Sequence, residues 1–194
     1  MLAADAKDPA KTDVYNPCVH LYPYAQDAYL AFPSTFRTYG YGQRENSYGR
    51  DFRGKADGDG LFEVHLAVSR DGVRFDRLGD RKSFLPIGLA GTFCSKWTWS
   101  LPNPIPMGDE IWIYYYGDNR DHDGFVEPGA PARKTAIDRA ILRLDGFVSA
   151  DAAYAGGEIT TPLVTFAGSR LELNVDPGAG GSIRVELLDE ASRP

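Results

Sequence analysis

Apolar and polar residues alternate with a period of two along most of this chain, the pattern of strands with one face turned to a core. In "LFEVHLA", Phe62, Val64 and Leu66 form one face and Glu63 with His65 the other. "KWTW" puts Trp97 and Trp99 on a shared face. Outside residues 132–143 no stretch carries a helical period, and within "ARKTAIDRAILRL" strand reads as well as helix. There Ile137, Arg139 and Ile141 alternate with Asp138, Ala140 and Leu142. "AVSRDGVRFDRL" places Asp71-Gly72 as a tight turn between two short strands, because a positive φ costs glycine little. Ser69 braces that turn, and Val68, Val73 and Phe75 pack. The fold class expected is all-β.

Two segments share one plan. "NPCVHLYPYAQDAYLAF" and "NPIPMGDEIWIYYY" each begin Asn-Pro, pass a hairpin at "YAQD" or "MGDE", and enter an aromatic strand. Aligning Asp27 with Glu110 puts Tyr29 on Trp112 and Phe32 on Tyr115, 83 positions apart. That separation is twice a unit of ~40 residues, the length of a four-stranded propeller blade. After residue 145 the composition shifts to the Ala- and Gly-rich "DGFVSADAAYAGGE". Beyond it Leu171, Leu173 and Val175, then Ile183, Val185 and Leu187, alternate on either side of "DPGAGG", as in a meander of half-buried strands. The expected organisation is a partial β-propeller over 12–148, then a linker and incomplete β-sandwich strands over 149–194.

Composition narrows the function. The 21 Gly, 13 Pro and 11 Tyr suit a chain of short strands and turns. A net charge of −6 with scattered Lys and Arg argues against nucleic acid or an anionic membrane as the main partner. No apolar run approaches the ~20 residues of a membrane-spanning helix. "MLAADAKDPAKTD" has no hydrophobic core of a secretory signal. Cys18 and Cys94 lack a C-x-x-C partner and are expected as two buried thiols. No phosphate-cradling loop, Ser-His-Asp context or histidine spacing for a metal is present, so no cofactor and no metal are expected.

"DVYNPCVHLYPYAQDAYLAFPS", "EVHLAVSRDGVRFDR", "GDEIWIYYYG", "RLDGFVSADAAYAGGEITTP" and "GSRLELNVD" together resemble the five-bladed β-propeller glycosidases of the invertase and arabinanase type, in a branch with a C-terminal β-sandwich. The resemblance implies glycoside cleavage by carboxylates gathered at the mouth of a central channel. It also implies that about three of five blades are present, another chain or a preceding segment supplying the rest. Cys94 in "TFCSKW" stands where such relatives carry an acidic residue.

Glycoside hydrolysis needs two carboxyl groups ~5–9.5 Å apart. Asp13 and Glu63, both near strand starts, are the catalytic candidates, Glu63 as the acid. His65 shares the face of Glu63. Tyr15, Asn16, His65, Trp97, His122 and Arg139 are the substrate-binding candidates. Aromatic rings would stack on sugar faces, His122 would contact a hydroxyl from the acid-rich "GDNRDHDGF", and Arg139 would reach inward to pair with a carboxylate. Two rival expectations are a non-catalytic carbohydrate-binding module and a structural piece completed by a partner chain.

Overall fold

The computed structural model describes residues 2–38, 60–122, 129 and 131–193. The chain divides into two compact units, Met1–Asp145 and Gly146–Pro194. The first is all-β. Its described strands are β1 (Thr12–Tyr15), β2 (Val19–Leu21), β3 (Tyr29–Ala31), β4 (Ser34–Thr38), β5 (Gly60–Val64), β6 (Ala67–Ser69), β7 (Asp76–Arg77), β8 (Trp97–Ser100), β9 (Ile105–Met107), β10 (Glu110–Asp118) and β11 (Thr135–Arg143). Among the described residues they make two sheets. One has seven strands in the order β1-β4-β5-β8-β10-β11, with β9 paired to β10; the other has four, β2-β3-β6-β7. Neither sheet closes into a barrel or a propeller.

The two sheets share long bent arms. Ser34 pairs with Val64 and Ala31 with Ala67, while the His65 N–H donates to Pro33 O at 2.9 Å between them. The register is therefore unbroken from β3–β4 to β5–β6, a single hairpin bent at Pro33, where a proline cannot donate to a ladder. β1 and β2 form a third arm that turns the same corner at Asn16 (φ 36) and Cys18 (φ 43). The Asn-Pro of the second repeat carries no strand to the other sheet. Asn103 (φ 68) lies between β8 and β9, which both pair with β10. Asparagine tolerates this left-handed backbone better than most residues, so Asn-Pro marks a break between strands in both meanders, and in the first that break is a corner between sheets.

The hairpin turns fall where alternation put them. Gly108 (φ 64) opens the two-residue turn between β9 and β10. In the β6–β7 turn the Ser69 hydroxyl donates to Asp71 Oδ1 at 2.9 Å and accepts from the Gly72 N–H at 2.9 Å. Asp71 Oδ1 also accepts the N–H groups of Val73 and Arg74, each at 2.8 Å. Those donors hold the Asp71 carboxyl down to about 2.

The core sits where the meanders meet. Phe32, Phe62, Val64, Ile111 and Ile113 are almost wholly buried. Each such side chain contributes roughly 1.5–3 kcal/mol by leaving water. β5 and β8 touch as a parallel pair through Phe62 and Trp97, which joins the meanders into one sheet. Gly117 lies on the other side of β10, where a Cβ would come 2.6 Å from the side chains of Phe93 and Cys94.

The second unit differs from expectation. Its described residues form no strand beyond an isolated bridge between Ala153 and Gly156. Leu171, Leu173, Val175, Ile183, Val185 and Leu187 are all exposed. The "DPGAGG" turn does form, with the Gly178 N–H on Asp176 Oδ1 at 2.9 Å. The alternation is present, but among the described residues no second layer covers it, and thin uncovered ribbons are marginal.

Candidate functional site

Directly opposed residues of an antiparallel pair share a face, so the registers sort the candidates. Asp13 pairs with Phe36 and Tyr15 with Ser34 on β4, and Phe36 pairs with Phe62 on β5. The same face continues through Trp97 and Trp99 on β8 to Tyr116 on β10 and Ile137 on β11. Its rings form a continuous cluster. Phe36 stacks on Phe62 at 4.7 Å between centroids, and Tyr15 meets Phe62 edge-on at 5.4 Å. Trp97 and Trp99 lie 6.0 Å apart and nearly parallel. His122, exposed, stacks on Trp97 at 5.8 Å and packs against Phe36 at 4.8 Å.

Between these rings lies a cavity of about 430 Å³, lined by Tyr15, Phe62, Trp97, Trp99, Tyr116 and His122 with Leu101 and Ile137. The Trp97 indole N–H is buried and has no hydrogen-bond partner among the described residues. The end of β10 is fixed by Asp118, which is 2 % exposed. It accepts from Tyr116 Oη at 2.8 Å, Arg133 Nε at 3.0 Å and the Arg120 N–H at 2.9 Å. Lys96 pairs with Asp121 at 3.2 Å, steadying the segment that delivers His122. Asp123, the remaining acid of that cluster, lies outside the described residues. Among the described residues no group of His, Cys, Asp and Glu is arranged to hold a metal.

The structure brings Tyr15, Trp97 and His122 together around this one cavity. It does not bring the two carboxylates together. Asp13 is exposed on the aromatic face, on the edge strand β1. Glu63 follows Phe62 and so points to the opposite face, where it accepts the Ile87 N–H at 3.4 Å and pairs with Arg37 at 3.6 Å. Strand alternation thus places the two candidate carboxylates, Asp13 and Glu63, on opposite faces of one sheet.

His65 lies on the side of Glu63 but is buried at 8 % exposure. Arg77 Nη2 approaches its Nδ1 at 2.9 Å, which makes Nδ1 the acceptor and Nε2 the protonated nitrogen. Burial first, then the Arg77 charge, push its pKa down to about 4, so it is neutral near pH 7. Arg77 in turn pairs with the buried Asp8 at 2.8 Å. Asn16 is exposed at the corner of its arm, and a bond from its side chain opposes the burial that raises the Cys18 thiol's pKa.

Arg139 is also placed otherwise than expected. Its guanidinium lies 3.7 Å from the centroid of Trp112 rather than on a carboxylate. β11 and β1 stand at opposite edges of the sheet, so it cannot reach Asp13. Cys94 is buried behind Gly117, on the face of β10 away from the cavity. Both cysteines are free, Cys94 buried and Cys18 half-buried. Sequence reasoning missed Phe36 and Tyr116 as members of the aromatic face, although both stand in alternating runs.

No protein-family model, curated protein or solved structure matches this chain. The resemblance to propeller glycosidases therefore stands on the quoted segments alone.

Proposed function

We propose that this chain binds carbohydrate in the aromatic cavity between β1, β5, β8 and β10, without cleaving it unaided. The observation that carries this reading is the open cavity of about 430 Å³ walled by Tyr15, Trp97, Trp99 and His122. Apolar walls with a few polar tips suit a ligand with apolar ring faces and hydroxyl edges. The two antiparallel meanders, each with a hairpin after Asn-Pro, support reading them as blades of a glycosidase-type propeller, here in non-catalytic form.

Separation of Asp13 from Glu63 favours binding over hydrolysis, because two carboxyl groups on opposite faces of a sheet cannot flank one glycosidic bond. A hydrolytic reading keeps one observation, the exposure of Asp13 on the aromatic face. In that reading a partner chain or further segment contributes the second carboxylate.

Electrophoresis through gels containing soluble polysaccharides tests the proposal. Retardation by at least one polysaccharide is expected, and Trp99→Ala should weaken it roughly tenfold or more, as loss of a central aromatic contact does. Circular dichroism checks that the variant keeps its fold. Unretarded migration in every gel would sink the reading, and turnover of aryl glycosides by the chain alone, abolished in Asp13→Asn, would replace it with the hydrolytic one.

A further inference from the structure

The aromatic face does not stop at the cavity. Trp112, Tyr114 and Tyr116 occupy alternate positions of β10, opposite Ile141, Arg139 and Ile137 of β11. Alternate residues of a strand stand ~6.8 Å apart, so the rings form a track running away from Trp99. A track of rings suits a linear oligosaccharide better than a single sugar.

Charged groups stand at the far end of that track: Arg139, and beyond it Glu110 opposite Arg143. Arg139 is exposed, its guanidinium laid over the Trp112 ring at 3.7 Å. No carboxylate among the described residues forms an ion pair with it. Its neighbour Asp138 belongs to the opposite face, where Tyr115 Oη donates to it at 3.4 Å. Glu110 Oε2 accepts the indole N–H of Trp112 at 2.7 Å, and its partner across the ladder is Arg143 rather than Arg139. A guanidinium held over an aromatic ring still has N–H groups to donate, and its planar fork matches a carboxylate.

Resting on the carbohydrate-binding reading above, we infer that the ligand is a linear acidic glycan, a chain containing uronate sugars. Its rings lie along Trp99, Tyr116 and Tyr114, and one of its carboxylates is held by Arg139. The protein's net charge of −6 gives no long-range attraction to such a chain, so selectivity rests on this local contact.

Calorimetry on the full chain in 0.15 M salt tests this with hexamers of galacturonate, mannuronate and glucuronate against neutral hexamers of glucose, xylose and arabinose. At least one uronate hexamer should bind about tenfold or more tighter than every neutral hexamer, the scale of a hydrogen bond to a charged group. Arg139→Gln should erase that preference while leaving the unfolding midpoint near that of the parent. Trp99→Ala should weaken uronate and neutral hexamers alike. Equal binding of both kinds, with Arg139→Gln unchanged, overturns the acidic-ligand inference and leaves carbohydrate binding standing. Absence of binding by any hexamer overturns both.

Discussion

His65 shows how one side chain's surroundings redirect the role its position suggests. Alternation put it beside Glu63, but it lies just past the end of β5, at the bend opposite Pro33. The sequence could not show that Arg77 and Asp8, distant along the chain, converge there. Arg77 donates to His65 Nδ1 at 2.9 Å and to Asp8 Oδ2 at 2.8 Å. Burial and the Arg77 charge outweigh the opposing pull of Glu63 and Asp8, and the folded-state pKa drops from 6.5 to about 4. The unfolded chain then binds a proton at His65 that the folded chain refuses, in the window between those values. Stability is unaffected by this group above pH 6.5 and falls as pH drops toward 4. At ~1.4 kcal/mol per pH unit, the loss approaches about 3 kcal/mol at the bottom of the window. Urea midpoints at pH 7.5 and 4.5 check this against His65→Asn. The parent should lose more stability than the variant on acidification, and parallel losses would show that His65 is not the sensor.

At the scale of elements, much was legible. The turn of "AVSRDGVRFDRL" follows from Ser, Asp and Gly at their positions, since short side chains supply the hydrogen bonds and glycine the positive φ. Gly72 has φ +70, and a Cβ there would meet the Tyr29 ring at 3.3 Å. Gly72→Ala should therefore destabilise the first unit by about 1–2 kcal/mol, the cost of left-handed backbone in an L-residue. Chemical denaturation followed by tryptophan fluorescence measures it, and an unchanged midpoint would mean that the turn relaxes freely. The two hairpins after Asn-Pro were legible too, since each turn is followed by an aromatic strand, β3 after β2 and β10 after β9. The bend that divides each arm between two sheets was not. It depends on Pro33 lying opposite His65, a pairing across the chain that alternation within one segment does not encode. The same limit explains the two carboxylates. Asp13 does lie near the start of β1, but Glu63 is the last residue but one of β5, and only the β1–β4–β5 register reveals that Asp13 falls on the row of Phe62 and Glu63 on the row behind it.

For the molecule as a whole, alternation of apolar residues states a preference for strand, and tertiary cover decides whether the preference is realised. β10 and β11 pair over nine residues, with Ile111 and Ile113 almost fully buried behind them. Leu171, Leu173 and Val175 alternate as cleanly, yet they are 61%, 52% and 40% exposed and lie in no strand. A ribbon that buries so little cannot offset roughly 1–2 kcal/mol of backbone entropy per ordered residue. Sequence periodicity registers the first case and the second identically, which is why the sandwich strands were expected and the aromatic face was only half seen. The contrast has a direct consequence for dynamics. Amide protons of β10 are locked in ladders on both sides, to β8 or β9 and to β11, and open only with the core. Described residues of 146–193 have few backbone partners of this kind. Hydrogen–deuterium exchange at neutral pH should therefore show peptides spanning 111–117 protected by several orders of magnitude relative to peptides spanning 169–187. Urea below the midpoint should leave the second set unchanged while accelerating the first, because only the first is coupled to global unfolding. Strong protection across 169–187 would mean that those residues form a covered sheet after all, and the alternation of Leu171, Leu173 and Val175 would then have been the better guide to the fold.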